Sequence, residues 1–326
     1  MNKVNILVTA VGSELAFSIV KALKKINDLE VTLIGCDIYP EVVGKYWCEH
    51  FYQVPPVKNK EAYLSAFKNI IEKHQVNFII PSSDYEFPIL SEIKDDVVRD
   101  HNCHILVNSP EMIGIFCDKW LAHQYMVQQH ISVPKTICMT HEPDLQSAIE
   151  RNNLSFPFII KPRVGGGSRS IYHVENTTML NAIQTIVPNG LIQEYLYPDN
   201  EEYSSGTFRT THNQVFVVIF KRTLKFGMTN TASIIKNHEL EEFCRETILK
   251  TSLTGSNNIQ FRVTENGPKI LEINPRFSGT TGIRANFGFN DVEMWIKDSL
   301  NIAITAPEIK SGFVLRYMEE QYHLND

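Results

Sequence analysis

Residues 269–279 read KILEINPRFSG. The first half has the apolar texture of a β-strand, yet Glu272 and Asn274 stand two residues apart within it, and Pro275-Arg276 follow. Side chains alternate between the two faces of a strand, so Glu272 and Asn274 are expected on one side and Leu271 and Ile273 on the opposite, packed side. Just upstream, residues 256–264 read SNNIQFRVT, and Glu265-Asn266-Gly267 between the two runs is a tight-turn signal. The two runs are therefore expected to pair as a hairpin, with Gln260 on the neighbouring strand in reach of Glu272 and Asn274. A carboxylate and two carboxamides offer oxygen ligands of the kind that suits Mg²⁺ or Mn²⁺. Arg276, past the strand-ending Pro275, is placed to grip a carboxylate or phosphoryl group through paired hydrogen bonds. The plainer reading is a polar strand face at a sheet edge; four polar groups converging on one hairpin weigh against it.

The chain has 326 residues, 43% of them hydrophobic and 21% charged, with a net charge of -6. That length suits two or three packed subdomains better than one core. The acidic balance gives no sign of nucleic acid as an obligate partner. No apolar run approaches a membrane span. The N-terminal MNKVNILVTAVGS reads as a first strand rather than a signal peptide, because its apolar part is short and ends at Gly12. Six cysteines are scattered without a CxxC pair, as expected of reduced thiols in a cytoplasmic protein.

Strand patterns at 4–10, 31–37, 76–83 and 104–108 alternate with helical periodicity at 14–27 and 61–74. Such alternation implies a parallel sheet covered by helices, with ligands at the carboxyl ends of its strands. Gly12, Asp37 and the loop from Ser82 to Glu86 fall at those ends. A lone Gly12 lacks the three-glycine dinucleotide fingerprint and reads as a tight turn. Asp84 and Glu86 are either solvated loop carboxylates or binders of a substrate ammonium. Beyond Ser109 the texture changes. A helix is expected over 118–130 with Asp118 as its N-cap, a strand over 134–139, a helix over 143–153, and a strand, glycine turn and returning strand over 156–174. Further strands are expected at 189–196, 201–210, 214–223 and 313–318, and helices at 239–251 and 292–300.

Gly165, Gly166 and Gly167, followed by Ser168, lack the Cβ atoms that would keep a backbone away from an anion. Lys161 and Arg163 flank them, which suits the outer phosphates of a nucleotide; the alternative is a floppy hairpin turn. Lys119 stands in a first helical turn against the helix dipole, where a solvated surface lysine is the commoner explanation. Backbone at Gln193, Glu194, Tyr195 and Leu196, a strand end, can bond a purine edge, and Glu202 opens the next strand within reach of ribose hydroxyls; both also read as ordinary strand termini.

In their order, Lys119, Lys161 with its glycine loop, QEYL (193–196), EEYS (201–204) and NIQFRVTENGPKILEINPRFSG (258–279) resemble the ATP-grasp superfamily. The last stretch is similar to the large subunit of carbamoyl-phosphate synthase, and the likeness covers nearly the whole chain. It implies an α/β N-terminal, Rossmann-like, pre-ATP-grasp domain over 1–110, then an ATP-grasp fold of two α+β lobes. The small lobe would span 111–190 and the large lobe 191–326. The resemblance also implies ATP as cofactor, its phosphates on Lys119, Lys161 and the 165–168 loop, its adenine at 193–196 and its ribose at Glu202. Mg²⁺ or Mn²⁺ would lie on Gln260, Glu272 and Asn274. Arg276, with Lys161 and Arg222, would serve the transferred phosphoryl group and the substrate. Thr280, Thr281 and Arg284 are candidates for a substrate carboxylate, or else begin a surface helix. The chain is too short for the duplicated halves of a carbamoyl-phosphate synthase.

The expected activity is ligation of a small-molecule carboxylate to an amine through an acyl-phosphate, with amino acid-like substrates. Neither nucleic acid nor membrane is expected as partner, and a homodimer is left open. A phosphotransferase that releases the phosphorylated acid, or a catalytically silent ATP-binding subunit, are the alternatives.

Overall fold

The computed structural model describes residues 2–142, 144–165 and 170–322. Gly166, Gly167 and Ser168 of the glycine loop lie outside the described residues. The chain begins with β1 (Asn2–Val8), α1 (Glu14–Leu23), β2 (Leu29–Asp37), β3 (His50–Gln53), α2 (Lys60–His74), β4 (Phe78–Ile80), α3 (Phe87–His101) and β5 (His104–Ile105). The five strands form one parallel sheet in the order β3-β2-β1-β4-β5. Alternation sends Val4, Ile6 and Val8 to the apolar core on one face and Leu7 to the core on the other, where Ile34, Cys36 and Ile79 join it. Ser13 starts α1 by accepting the Ala16 N–H at 3.0 Å. The helix stops at Leu23, short of the expected Asn27, while Ile26 stays buried in the following turn.

Two helices, α4 (Pro110–Phe116) and α5 (Lys119–Gln128), lead onward, and Asp118 caps the second as expected. Next come β6 (Thr136–Cys138), α6 (Leu145–Arg151), β7 (Phe158–Pro162), β8 (Tyr172–Val174), α7 (Thr177–Ile186) and β9 (Gly190–Glu194). Their strands form an antiparallel sheet in the order β6-β9-β7-β8 with its own apolar core. Because β9 pairs with β6 and β7, Gln193 and Glu194 belong with the smaller sheet. This corrects the division expected at residue 190.

The remainder is β10 (Glu202–Arg209), β11 (Val215–Lys225), β12 (Met228–Ile235), α8 (His238–Leu249), β13 (Gly255–Thr264), β14 (Gly267–Asn274), α9 (Thr281–Asn286), α10 (Asp291–Ser299) and β15 (Phe313–Leu315). The strands make an antiparallel sheet in the order β14-β13-β10-β11-β12-β15. Ile259, Phe261 and Ile273 pack on one face with Leu240, Cys244 and Ile248 of α8. Phe208, Val218 and Phe220 on the other face share a core with β1, α1 and α10. A bulge interrupts the β13–β14 ladder, where Gln260 pairs with Glu272 and Phe261 with Ile270. Leu271 is the extra residue, so the packed positions are Ile270 and Ile273 rather than the expected Leu271 and Ile273.

The N-terminal domain is fused to this sheet. Gly282 of α9 lies against α1, where a Cβ would come within 2.8 Å of the Ser18 carbonyl, and its N–H donates to Ser18 Oγ at 2.8 Å. Arg284 and Asp291 form an ion pair of 2.5 Å with both side chains 0% exposed. Arg284 also donates to Thr281 Oγ1 at 2.8 Å, and Ser256 donates to Asp291. Beneath the guanidinium is Gly206, where a Cβ would sit 2.3 Å from Arg284 Cδ. Arg284, Thr281 and Thr280, expected as substrate contacts, are instead buried in this network. Asp291→Ala strands the Arg284 charge in the interior and is expected to cost about 3–5 kcal/mol in urea denaturation. Removing both charges, in Arg284→Met with Asp291→Leu, should recover most of that loss.

Candidate active site

The site forms where the two antiparallel sheets approach each other. Lys161 on β7 is 8% exposed and donates to Gln193 Oε1 on β9 at 2.9 Å. Gln193 in turn donates to Thr136 Oγ1 on β6 at 3.0 Å. Burial lowers the Lys161 amine to about 8, with Glu272 opposing the shift and Lys119 adding to it. Lys119, the first residue of α5, donates to the Gly165 carbonyl and lies 3.6 Å from Glu272 Oε1. A narrow cavity between the sheets is lined by Lys119, His123, Lys161, Gln193, Leu271 and Glu272. Burial and then the Lys161 charge push His123 down to about 4, so its ring is neutral at pH 7.

The hairpin delivers the oxygen-bearing residues. Gln260 stands directly opposite Glu272, and Asn258 opposite Asn274, all on the face that also carries Glu202 and Ser204. The register therefore brings Gln260, Glu272 and Asn274 together. Arg222 donates to Glu202 Oε1 at 3.1 Å and to Gln260 Oε1 at 2.9 Å. Two residues of this face went unread in the sequence. Asn258 accepts from Ser204 Oγ at 3.1 Å. Arg262 donates to Glu202 Oε2 at 2.9 Å and to the Leu196 carbonyl at 2.8 Å. The alternation that puts Gln260 on this face also puts Asn258 and Arg262 there, so the signal was present. The Nε atoms of Arg222 and Arg262 are buried with no partner among the described residues.

One carboxylate and two carboxamides on one face are a donor set of hard oxygens, which fits a divalent cation that completes its shell with water and phosphate oxygens. Among the described residues no group of three His, Cys, Asp or Glu is placed to hold a metal.

Other expected site residues are already engaged. Glu194 accepts from Lys269 at 2.8 Å and from the Lys135 N–H at 3.0 Å, so its side chain is tied down beside the cavity. Tyr195 donates to Asp199 at 2.6 Å. Glu86 is turned into the N-terminal domain, where Thr9 and Tyr63 donate to it and burial raises its carboxyl above the usual range. A carboxylate spent on two interior hydroxyls does not face a substrate. Arg276 donates from Nε to Asp84 Oδ1 at 2.7 Å and from Nη1 to the Phe277 carbonyl at 2.9 Å. It is thus held toward the N-terminal domain.

Residues 6–105 match the family model "PylC-like, N-terminal domain". Residues 117–213 match "RimK-like ATP-grasp domain", and residues 187–321 match "ATP-grasp in the biosynthetic pathway with Ter operon". Among curated proteins, the chain is similar to a probable alpha-L-glutamate ligase of Xylella fastidiosa, 27% identical over 53% of this chain and 60% of that protein. An uncharacterized protein of Methanocaldococcus jannaschii is 25% identical over 54% of this chain and 45% of that protein. The chain thus spans about half the length of the curated relatives it matches. In structure it is similar to the N5-carboxyaminoimidazole synthetase of Staphylococcus aureus complexed with ADP, with TM-score 0.74, 17% identity, and coverage of 95% of this chain and 81% of that one. It is also similar to a biotin carboxylase–ATP complex from Campylobacter jejuni, with TM-score 0.72, 16% identity, and coverage of 95% and 74%. The fold is an ATP-grasp fold preceded by a PylC-like N-terminal domain. Among the described residues no helix is long and apolar enough to cross a membrane.

The Lys161 shift carries a stability signature. With its amine near 8 in the fold and at the ordinary lysine value of about 10.4 in the unfolded chain, the unfolded state binds the extra proton across that interval. Stability therefore rises with pH there. Urea denaturation at pH 7.5 and pH 10 is expected to show the wild type gaining about 1–3 kcal/mol relative to Lys161→Met. Parallel pH curves for the two proteins would show that the amine titrates normally.

Proposed function

We propose that this protein is an ATP-dependent carboxylate–amine ligase. A substrate carboxylate oxygen attacks the γ-phosphorus of ATP, the bond to the bridging oxygen breaks, and ADP leaves as an acyl-phosphate forms. An amine nitrogen then attacks the acyl carbon, phosphate leaves, and the amine gives up a proton to yield an amide. The observation that carries this reading is the cavity that Lys119 and Lys161 share with Glu272, whose hairpin carries Gln260 and Asn274 on the same sheet face. Cations facing an oxygen set are the two halves of a site for nucleotide phosphates and their metal.

In this reading Lys161 and Lys119 hold phosphate oxygens, beside the carbonyl of Gly165. Backbone from Gln193 to Leu196 borders the adenine, and Glu202 reaches the ribose by exchanging its bonds to Arg222 and Arg262. Mg²⁺, when bound by Gln260, Glu272 and Asn274, neutralises charge on the phosphates. Arg276 and Arg222 steady the phosphoryl group and the substrate. The named relatives support this chemistry: a probable glutamate ligase, and a biotin carboxylase domain of Hydrogenobacter thermophilus solved with MgADP and bicarbonate. The likeness of the 258–279 hairpin to carbamoyl-phosphate synthase supports the same acid-phosphorylating half-reaction. The six cysteines are all free thiols, which fits work in the reducing cytoplasm.

The test is release of ADP and phosphate from MgATP over a panel of carboxylic acids crossed with amines. One acid–amine pair is expected to drive turnover, and Glu272→Ala to lower it about 100-fold or more. Phosphorylated acid accumulating without need of an amine would identify a phosphotransferase instead. Nucleotide binding without turnover on any pair would favour a silent subunit.

A further inference from the structure

Where the N-terminal domain meets the six-stranded sheet, Asp84 and Arg276 form an ion pair of 2.7 Å between residues far apart in the chain. Asp84 follows β4 at the carboxyl edge of the parallel sheet, where ligands of such sheets collect. Arg276 follows the hairpin that carries Glu272 and Asn274. Resting on the ligase reading above, we propose that Asp84 and Arg276 together receive the ammonium and carboxylate of an α-amino acid, which serves as the carboxylate donor.

The seam does not need this pair to stay closed. A single apolar core runs from β1 and α1 through α10 to the large sheet. Ser18 Oγ donates to the Gly279 carbonyl at 3.1 Å, and Asn290 donates to the Ala22 carbonyl at 3.0 Å. An exposed ion pair adds roughly 0–1 kcal/mol by comparison. Asp84 is 59% exposed at its side chain while Arg276 is 21% exposed. Arg276 is the only hydrogen-bond and ion-pair partner of Asp84 among the described residues. The carboxylate is thus open on the solvent side and tethered by a single bond.

The two groups present opposite charges at hydrogen-bond spacing, and an α-amino acid carries the complementary charges at a similar spacing. Its ammonium takes over Asp84, and its carboxylate takes over the released guanidinium beside the metal-binding hairpin. Every charge that separates finds a new partner. A carboxylic acid without the amine also draws Arg276 away but leaves Asp84 with none. Discrimination therefore follows from an unmatched polar group rather than from size. The neighbouring Tyr85 is 82% exposed and offers an apolar surface to the substrate side chain.

Calorimetry on the full chain loaded with MgADP tests this. The titrants are the standard L-amino acids and D-alanine, each paired with its acid lacking the amine, such as L-glutamate with glutarate and alanine with propionate. At least one amino acid is expected to bind about 10- to 100-fold more tightly than its partner acid. Asp84→Asn should erase that preference, and Asp84→Glu should restore part of it. Loaded protein that binds no amino acid, that binds both members of each pair alike, or whose preference survives Asp84→Asn overturns the assignment. MgADP failing to bind the wild type at all is a separate failure, that of the nucleotide site and of the ligase reading.

Discussion

The bulge at Leu271 decides which side chains of β14 reach the site. Lys269 opposite Arg262, Glu272 opposite Gln260 and Asn274 opposite Asn258 all share the site face, while Ile270 and Ile273 go into the core. Strict alternation cannot do this, because Lys269 and Glu272 are an odd number of residues apart. Without the bulge, holding Glu272 and Asn274 on the site face would drive Lys269 into the core and Ile270 out of it. Burying an unpaired ammonium costs several kcal/mol, so the register is strongly specified. The bulged Leu271 lines the cavity between the sheets. One inserted residue thus aims the carboxylate, frees Lys269 to pair with Glu194 and furnishes an apolar wall.

The electrostatics around that carboxylate are arranged before any ligand arrives. Glu202 lies between Arg222 and Arg262, and Arg222 also holds Gln260. Guanidiniums are rigid forks, so each bond fixes the plane of the next. Lys161 is held in the same spirit by Gln193 and Thr136. Its lowered pKa reflects the cost of keeping an ammonium out of water, which the Glu272 charge offsets only in part. An anion entering the cavity relieves that cost, which makes a desolvated lysine a stronger phosphate ligand than an exposed one.

Much of this was legible in the chain because it follows from periodicity. Period-two alternation put Glu272, Asn274 and Gln260 on one face, and an Asn-Gly turn closed the hairpin. What escaped reading depends on contacts between distant segments. The bulge leaves no mark in KILEIN, since Leu271 and Ile273 look as core-forming as Ile270. Glu86 reads as a loop carboxylate until Tyr63 of α2 is found against it. Arg284 and Asp291 each look exposed, and only the gap above Gly206 shows that they are buried together. Helix α3 was unassigned because few of its positions are apolar and buried amid a charged run. Strand β12 was missed because its Thr and Ser residues give a weak alternation.

The cores also divide the labour of movement. One apolar cluster joins the N-terminal domain to α10 and the large sheet, whereas the four-stranded sheet has a separate apolar core with α6 and α7. Polar contacts across the cavity link the small lobe to the rest, Lys119 with Gly165 and Lys269 with Glu194. Close-packed apolar contacts resist displacement, while half-exposed polar ones exchange with water at little cost. In the proposed reaction, closure over a nucleotide falls to the four-stranded sheet. The backbone that carries Asp84 and Arg276 belongs instead to the fused seam. In the proposed mode an amino acid parts these two side chains without moving the backbone of the seam, so the travelling is left to the phosphate-holding lobe.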